Sequence, residues 1–189
     1  MVVPLLDVQP GHRVIDACAG GGGKSLHMAS LMKNKGKILS LDIHEWKLKE
    51  LKDRAKRNGV DVIETRVIDT NKVIKRLADN ADRVLLDVPC SGMGVLRRNP
   101  DAKWKLSNEE IDRLMILQQE ILSTYSQMTK VGGQLVYATC SLLPSENELQ
   151  VQKFLHDHSA KWSLVKEIHL RPDRDGFDGF YAALLKRNA

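Results

Sequence analysis

Two thiols stand in short, turn-forming motifs. Cys90 lies in Asp87-Val88-Pro89-Cys90-Ser91-Gly92 and Cys140, 50 residues later, in Thr139-Cys140-Ser141. Upstream, Asp16-Ala17-Cys18-Ala19 leads into four consecutive glycines, Gly20, Gly21, Gly22 and Gly23, followed by Lys24-Ser25. A glycine tract at a helix start lets the backbone approach a ligand closely and presents amide N–H groups to it. Asp42, Asp69 and Asp87 each follow an apolar run. Sulfur, a glycine cradle and spaced carboxylates together suggest chemistry beside a nucleotide-like ligand.

Two ligands compete for the glycine tract. Gly23-Lys24-Ser25 would complete a phosphate-binding P-loop of an NTPase if glycine stood five residues before Gly23, but that position is Cys18. An NTPase could use Asp87 as its magnesium acid, yet Asp42 and Asp69 would then have no role. Taken singly, each acid reads equally well as a helix cap or turn residue. Three acids in register after successive strands favour S-adenosylmethionine instead, with Asp42 on the ribose hydroxyls and Asp69 facing the adenine amino group.

A methyl donor beside a thiol points to a pyrimidine ring. Carbon 5 of cytosine is too weakly nucleophilic to take a methyl group directly. A thiolate adding to carbon 6 pushes electrons to carbon 5, and a group at nitrogen 3, for which Asp87 is placed, stabilises the adduct. The second thiol can then assist elimination, the pair flanking the ring. Spacing does not decide which cysteine attacks. Pro89-Cys90 looks like the nucleophile loop of DNA cytosine methyltransferases, and the second thiol breaks that match. Inert packing of two small hydrophobes, or a regulatory disulfide, are the competing readings.

These residues need elements to hold them. Apolar runs at 13–17, 37–43, 60–67, 83–87 and 134–139 read as strands, and 163–168 and 180–185 as two more. Helical spacing covers about 24–33, then 45–58 with Trp46, Leu48, Leu51 and Ala55 inward, and a short stretch near 72–77. Ser107 with Glu110, and Ser145 with Glu148, have capping-box spacing. They open helices predicted to run to about Lys130, where Gly132-Gly133 would end the first, and to about His156. Strands alternating with helices predict an α/β fold with a mostly parallel sheet covered on both faces. The last two strands lack a helical crossover, so the end of the sheet should be antiparallel. This is the arrangement of Rossmann-like class I methyltransferases: seven strands, an antiparallel terminal strand and ligands beyond the carboxyl ends.

In these motifs the chain resembles the Sun-type (Nol/Nop/Sun, RsmB-like) RNA cytosine-5 methyltransferases over about Val8 to Lys186. The carriers are DACAGGGGKS from Asp16, LDIHEWKL from Leu41, DVPCSGMGVLRRNPDAKWK from Asp87, YATCSLLPSENE from Tyr137 and DGFYAALLKR from Asp178. The resemblance implies that Cys18, Ala19, Gly20 to Gly23 and Lys24, with Asp42, Asp69 and Asp87, contact S-adenosylmethionine. It implies Cys140 as nucleophile, Cys90 as the group assisting product release, and Lys24 near the reacting base. Gly20-Gly21 stands where the family usually has Ala-Pro, which predicts a looser loop and weaker cofactor binding. It also implies one catalytic domain over 1–189 without the family's N-terminal RNA-binding structure, of which only the stub Met1–Gln9 would remain. An RNA-interaction module inactive without that part is the alternative.

Composition agrees with a polyanionic partner. The chain has 29 Lys plus Arg against 24 Asp plus Glu, a net charge of +5. Arg97, Arg98 and Trp104, just after the Pro-Cys motif, suit RNA phosphates and a stacked base, with solvated charge and a buried tryptophan as the plainer reading. The lysines and arginines between Lys47 and Arg57 read as a solvated helix face. Six histidines show no metal-ligand spacing, so no metal is expected. Three cysteines and no long apolar span point away from a secreted or membrane protein and toward a cytoplasmic one, expected to be a monomer.

Overall fold

A computed structural model describes residues 2–189. Its framework is one seven-stranded sheet in the order β3-β2-β1-β4-β5-β7-β6. The strands are β1 (Arg13–Asp16), β2 (Lys37–Asp42), β3 (Ile63–Val67), β4 (Ala81–Asp87), β5 (Thr129–Thr139), β6 (Trp162–Leu170) and β7 (Phe180–Arg187). Neighbours from β3 through β5 pair in parallel, whereas β7 runs antiparallel to both β5 and β6. The reversal predicted for the end of the sheet is therefore present. The chain-terminal strand is inserted one place in from the edge, which is formed by β6.

The helices are α1 (Val2–Leu5), α2 (Gly23–Leu31), α3 (Glu45–Arg57), α4 (Asn71–Lys75), α5 (Ala102–Lys105), α6 (Asn108–Tyr125), α7 (Glu148–Asp157) and α8 (Pro172–Asp175). Side chains alternate across a strand with a period of two. Accordingly Val84, Leu86, Leu135 and Tyr137 join one core with Ile74, Ile121, Leu122 and Phe154 of α4, α6 and α7. Leu85, Val136 and Ala138 face the other way, into a core with Met28 and Ala29 of α2 and Val2 and Val3 of α1.

Four local expectations need correction. Trp46 is 65% exposed, because residues two apart on a helix point about 200° apart and Leu48, Leu51 and Ala55 hold the inward stripe of α3. The long helix α6, capped as predicted by Ser107 accepting from the Glu110 N–H, stops at Tyr125 rather than Lys130. It stops there so that Thr129 can pair with Ala81; residues 130–133 then bulge opposite Asp82 alone, placing Gly132-Gly133 inside β5. Ser145 does not cap α7. A 3-10 turn occupies Pro144–Glu146, and the residue preceding α7 is Asn147, whose side chain is used elsewhere. Finally, β3 starts at Ile63 rather than residue 60.

Candidate active site

The strand order reverses between β1 and β4, and in open α/β sheets ligands bind outside the strand ends at that switch point. The glycine turn after β1, Asp42 at the end of β2 and the Asp87–Cys90 loop after β4 all meet there. The turn is tightly made. Gly22 donates its N–H to Ala19 O (2.9 Å) and has φ of 80° immediately before α2. A Cβ at Gly22 would lie 2.0 Å from Leu51 Cδ1 of α3, so both backbone and space demand glycine. Gly20 N–H donates to Asp42 Oδ2 (2.8 Å), and the Arg54 guanidinium donates to Gly21 O. The tract predicted to be loose is thus pinned from two neighbouring elements.

Asp42 is 8% exposed and accepts a second bond, from the His44 N–H (2.9 Å), which leaves further lone pairs of its carboxylate for a ligand. Beside it lies a cavity of about 150 Å³ lined by Ala17, Cys18, Asp42, Ile68, Pro89 and Tyr125, among others. Burial pushes the Cys18 thiol well up and the Tyr125 hydroxyl to about 12, so both stay neutral walls of an apolar slot. Leu117, Ile121 and Tyr125 supply one side as a stripe of α6 with residues four apart, which sequence reasoning did not assign to the site. Lys47, assigned to a solvated face, is half-buried and lines the same cavity with His44. Asp69 is exposed and is not among the lining residues; Ile68 faces the cavity in its place. A wider depression of about 560 Å³ between α3 and β3 holds none of the strand-end acids or thiols.

Next to this slot Lys24 Nζ donates to Asp87 Oδ2 at 2.5 Å. Lys24 is therefore committed to a carboxylate at the end of β4. On the side of β4 away from the switch point, Asp87 pairs in register with Ala138 of the adjacent β5, and Val88 N–H donates to Ala138 O (3.0 Å). That register brings the following turns together, and Cys90 Sγ lies 3.1 Å from Cys140 Sγ. Cys140 N–H also donates to Cys90 Sγ (3.3 Å). The sulfurs touch, so they do not flank a ring: two contacts of about 3.5 Å on its faces would need about 7 Å between them. A base must instead approach one sulfur with the other beside it.

The hydrogen bond makes the two thiols unequal. Hydrogen bonding from Cys90 lowers the pKa of Cys140, with help from the Lys24 charge against burial and Asp87. The same bond, and then burial, push Cys90 far up. Cys140 is thus the more acidic thiol of the pair and Cys90 the less acidic.

The basic loop is tied to this centre. Gly94 N–H donates to Cys140 O (2.9 Å), and Gly179 N–H donates to Gly94 O (2.8 Å). A Cβ on Gly94 would meet Gly179 O at 2.1 Å, which explains a glycine at that contact. Asp178 then accepts from Arg98 Nε (2.7 Å), with Arg97 at 3.9 Å. Trp104 is 80% exposed on α5, which excludes the buried-tryptophan reading. Sequence reasoning also passed over Glu146, which is 0% exposed and reaches the serines following both cysteines. Its signal was the SENE run after Thr-Cys-Ser.

A sheet of this order, with a glycine turn and an acid at its switch point, defines the chain as a Rossmann-like methyltransferase domain. It belongs to the 16S rRNA methyltransferase RsmB/F family, whose profile matches residues 3–186. It is 41% identical over 204 residues to the probable ribosomal RNA small subunit methyltransferase B of Bacillus subtilis (strain 168), covering 99% of this chain and 46% of that one. Identity to the ribosomal RNA small subunit methyltransferase B of Yersinia enterocolitica is 38% over 193 residues, or 98% of this chain and 44% of that one. The crystal structure of NSun6 from Pyrococcus horikoshii aligns with TM-score 0.89 and 27% identity over 100% of this chain and 51% of that one. A methyltransferase homolog from the same organism gives 0.86 and 28%, over 100% and 65%. The chain spans less than half the length of these curated relatives.

Proposed function

We propose that this chain transfers a methyl group from S-adenosylmethionine to carbon 5 of a cytosine in RNA, of the 16S ribosomal class named for its relatives. The observation that carries the reading is the contact of Cys90 and Cys140 beside the Lys24–Asp87 pair, at the strand ends next to the glycine turn. Amino-group methylation needs no thiol. A P-loop hydrolase would need Lys24 free for phosphate, and here Lys24 is paired to Asp87.

The slot suits the donor. Apolar walls from Ile68, Leu117 and Tyr125 fit an adenine face, Asp42 stands where ribose hydroxyls bind, and Gly22 allows close backbone approach. Bound there, S-adenosylmethionine supplies an electrophilic methyl group.

Cys140 Sγ, as thiolate, forms a bond to carbon 6 of the cytosine. Asp87 faces nitrogen 3, which takes up a proton from solvent as the C6–S bond forms and returns it when that bond breaks. The carboxylate, oriented by Lys24, accepts a hydrogen bond from this proton and so offsets the charge that builds on the ring. Carbon 5 would then take the methyl group, the donor's S–CH3 bond breaking with S-adenosylhomocysteine as the leaving group. Cys140 is now a thioether, so the neighbouring charge that kept the proton on Cys90 is gone. Cys90 gives up its proton to solvent, its thiolate takes the carbon 5 proton, and the C5–H electrons re-form the ring double bond as the C6–S bond breaks to return Cys140 as thiolate. The target base must be unpaired or flipped out, since a stacked ring hides carbon 6. Arg97, Arg98 and Trp104 present charge and an aromatic face for the surrounding strand. Free thiols at Cys18, Cys90 and Cys140 suit the reducing cytoplasm.

The test uses radiolabelled S-adenosylmethionine and unmodified 16S rRNA. Cys140→Ala abolishes transfer, and Cys90→Ala accumulates a covalent protein–RNA adduct. Full activity of Cys140→Ala would overturn the assignment of roles, and S-adenosylhomocysteine binding without transfer to any RNA would make the chain a binding module.

A further inference from the structure

Glu146 carries a fully buried carboxylate, and among the described residues it forms no ion pair. A buried carboxyl group without a cation is tolerated only when its oxygens are met by hydrogen-bond partners. Four donors meet it. Oε1 accepts from Ser91 N–H (2.8 Å) and from Gln118 Nε2 (2.9 Å). Oε2 accepts from Ser91 Oγ (2.5 Å) and from Ser141 Oγ. Ser91 directly follows Cys90, and Ser141 directly follows Cys140. Gln118 Nε2 also donates to Pro89 O (2.9 Å), on the other side of Cys90.

The carboxylate is itself anchored. The Tyr137 hydroxyl, buried in the core, donates to Glu146 O at 2.7 Å. Asn147, the next residue, accepts from Thr139 Oγ1 (2.5 Å) and donates to Ser141 O (3.0 Å). Both turns that carry the sulfurs therefore end on one rigid planar group. A chain needing only a filled core at this point could use an apolar side chain at less desolvation cost.

We infer that Glu146 is a positioning residue whose carboxylate, by bridging Ser91 and Ser141, holds Cys90 and Cys140 at hydrogen-bonding separation. The inference rests on the two-cysteine reading above for its consequence in catalysis, but the separation itself is testable without it. The hydrogen bond from Cys90 is the leading influence lowering Cys140, so the pH profile of Cys140 alkylation reports whether the sulfurs are still in contact. The other charges bearing on Cys140, Lys24 and Asp87, are untouched by changes at Glu146.

Iodoacetamide labelling of Cys140, followed by mass spectrometry across pH, is the experiment. Cys90→Ala sets the upper limit of the midpoint. Glu146→Ala, and the double variant Ser91→Ala/Ser141→Ala, move the midpoint upward by about one unit toward that limit. Glu146→Gln retains Oε1 for the two N–H donors and offers an amide to the serine hydroxyls, so its midpoint stays near wild type. In methyl transfer, kcat falls about tenfold or more for the first two with KM for RNA unchanged, while Glu146→Gln recovers most of it. Thermal melting and S-adenosylhomocysteine binding identify variants that remain folded; if Glu146→Ala is not, the double serine variant decides. A folded variant of either kind with the wild-type midpoint would overturn the inference. So would a fall in melting temperature and in S-adenosylhomocysteine binding in proportion to the midpoint shift across all three. If the midpoints shift but wild-type enzyme transfers no methyl group, positioning stands and the proposed reaction fails.

Discussion

Cys90 Sγ sits 3.1 Å from Cys140 Sγ, and this hydrogen-bonded contact sets the two thiols apart in acidity, Cys140 lowered and Cys90 raised, although their turns look alike. The expected consequence is ordered reactivity. Cys140 alkylates with a midpoint lowered from that of an ordinary thiol, and Cys90 resists alkylation at the same pH. As pH falls through the Cys140 value the thiolate is lost and methyl transfer falls with it. Cys140→Ala lowers kcat by on the order of 10⁴-fold or more, as removal of a nucleophile does.

The glycine turn makes a paired prediction. Gly22→Ala puts a Cβ 2.0 Å from Leu51 at a φ of 80°, whereas at Gly21 the nearest atoms are the flexible ends of Arg54 and Glu50 at 3.4–3.5 Å. Gly22→Ala is expected to destabilise the fold by about 2 kcal/mol or more and to abolish S-adenosylhomocysteine binding. Gly21→Ala should change either by little. Calorimetry and thermal melting of the two variants check this.

Asp16 gives stability a pH dependence. Burial raises its carboxyl from 3.8 to about 7, against partial relief from the Ser25 hydroxyl, which donates to it at 2.6 Å. The folded state therefore holds a proton that the unfolded chain releases. That contribution is complete below about 3.8 and is lost as pH rises toward 7. Asp16→Asn keeps an acceptor for Ser25 and cannot ionise. Its stability relative to wild type, measured by urea unfolding, should rise from pH 4 to pH 7 and then level off.

Arg97 and Arg98 are exposed and held toward Asp178, beside the loop tied to Cys140. Replacing both by Ala should weaken RNA binding and lower the slope of log K against log salt by about 0.7 for each phosphate of a single strand that the arginines neutralise. Binding of S-adenosylhomocysteine should be unchanged, which separates the proposed RNA face from the proposed cofactor slot.

Much of the candidate site's layout was legible because its signals are local. Gly20 to Gly23 between a strand and a helix, and the acids at 42 and 87, mark strand ends by turn chemistry that needs no tertiary partner. The same is true of Ser107 as the cap of α6. The misreadings arose where a residue answers to something far along the chain. Lys47 and the Leu117-Ile121-Tyr125 stripe look like any helix face until β2 and the Pro89 turn close the cavity. Gly132-Gly133 looked like a helix end, because nothing local announces that Thr129 must pair with Ala81.

Residue order alone determined the alternation of strands and helices, the reversed last strand and the presence of two thiols at strand ends, since periodicity and turn residues act over a few positions. Only the tertiary structure decided that the two thiols differ in acidity, that the sulfurs touch rather than flank a base, and that Glu146 joins their turns. These depend on the register of β4 against β5 and on burial, and both arise from contacts between residues tens of positions apart.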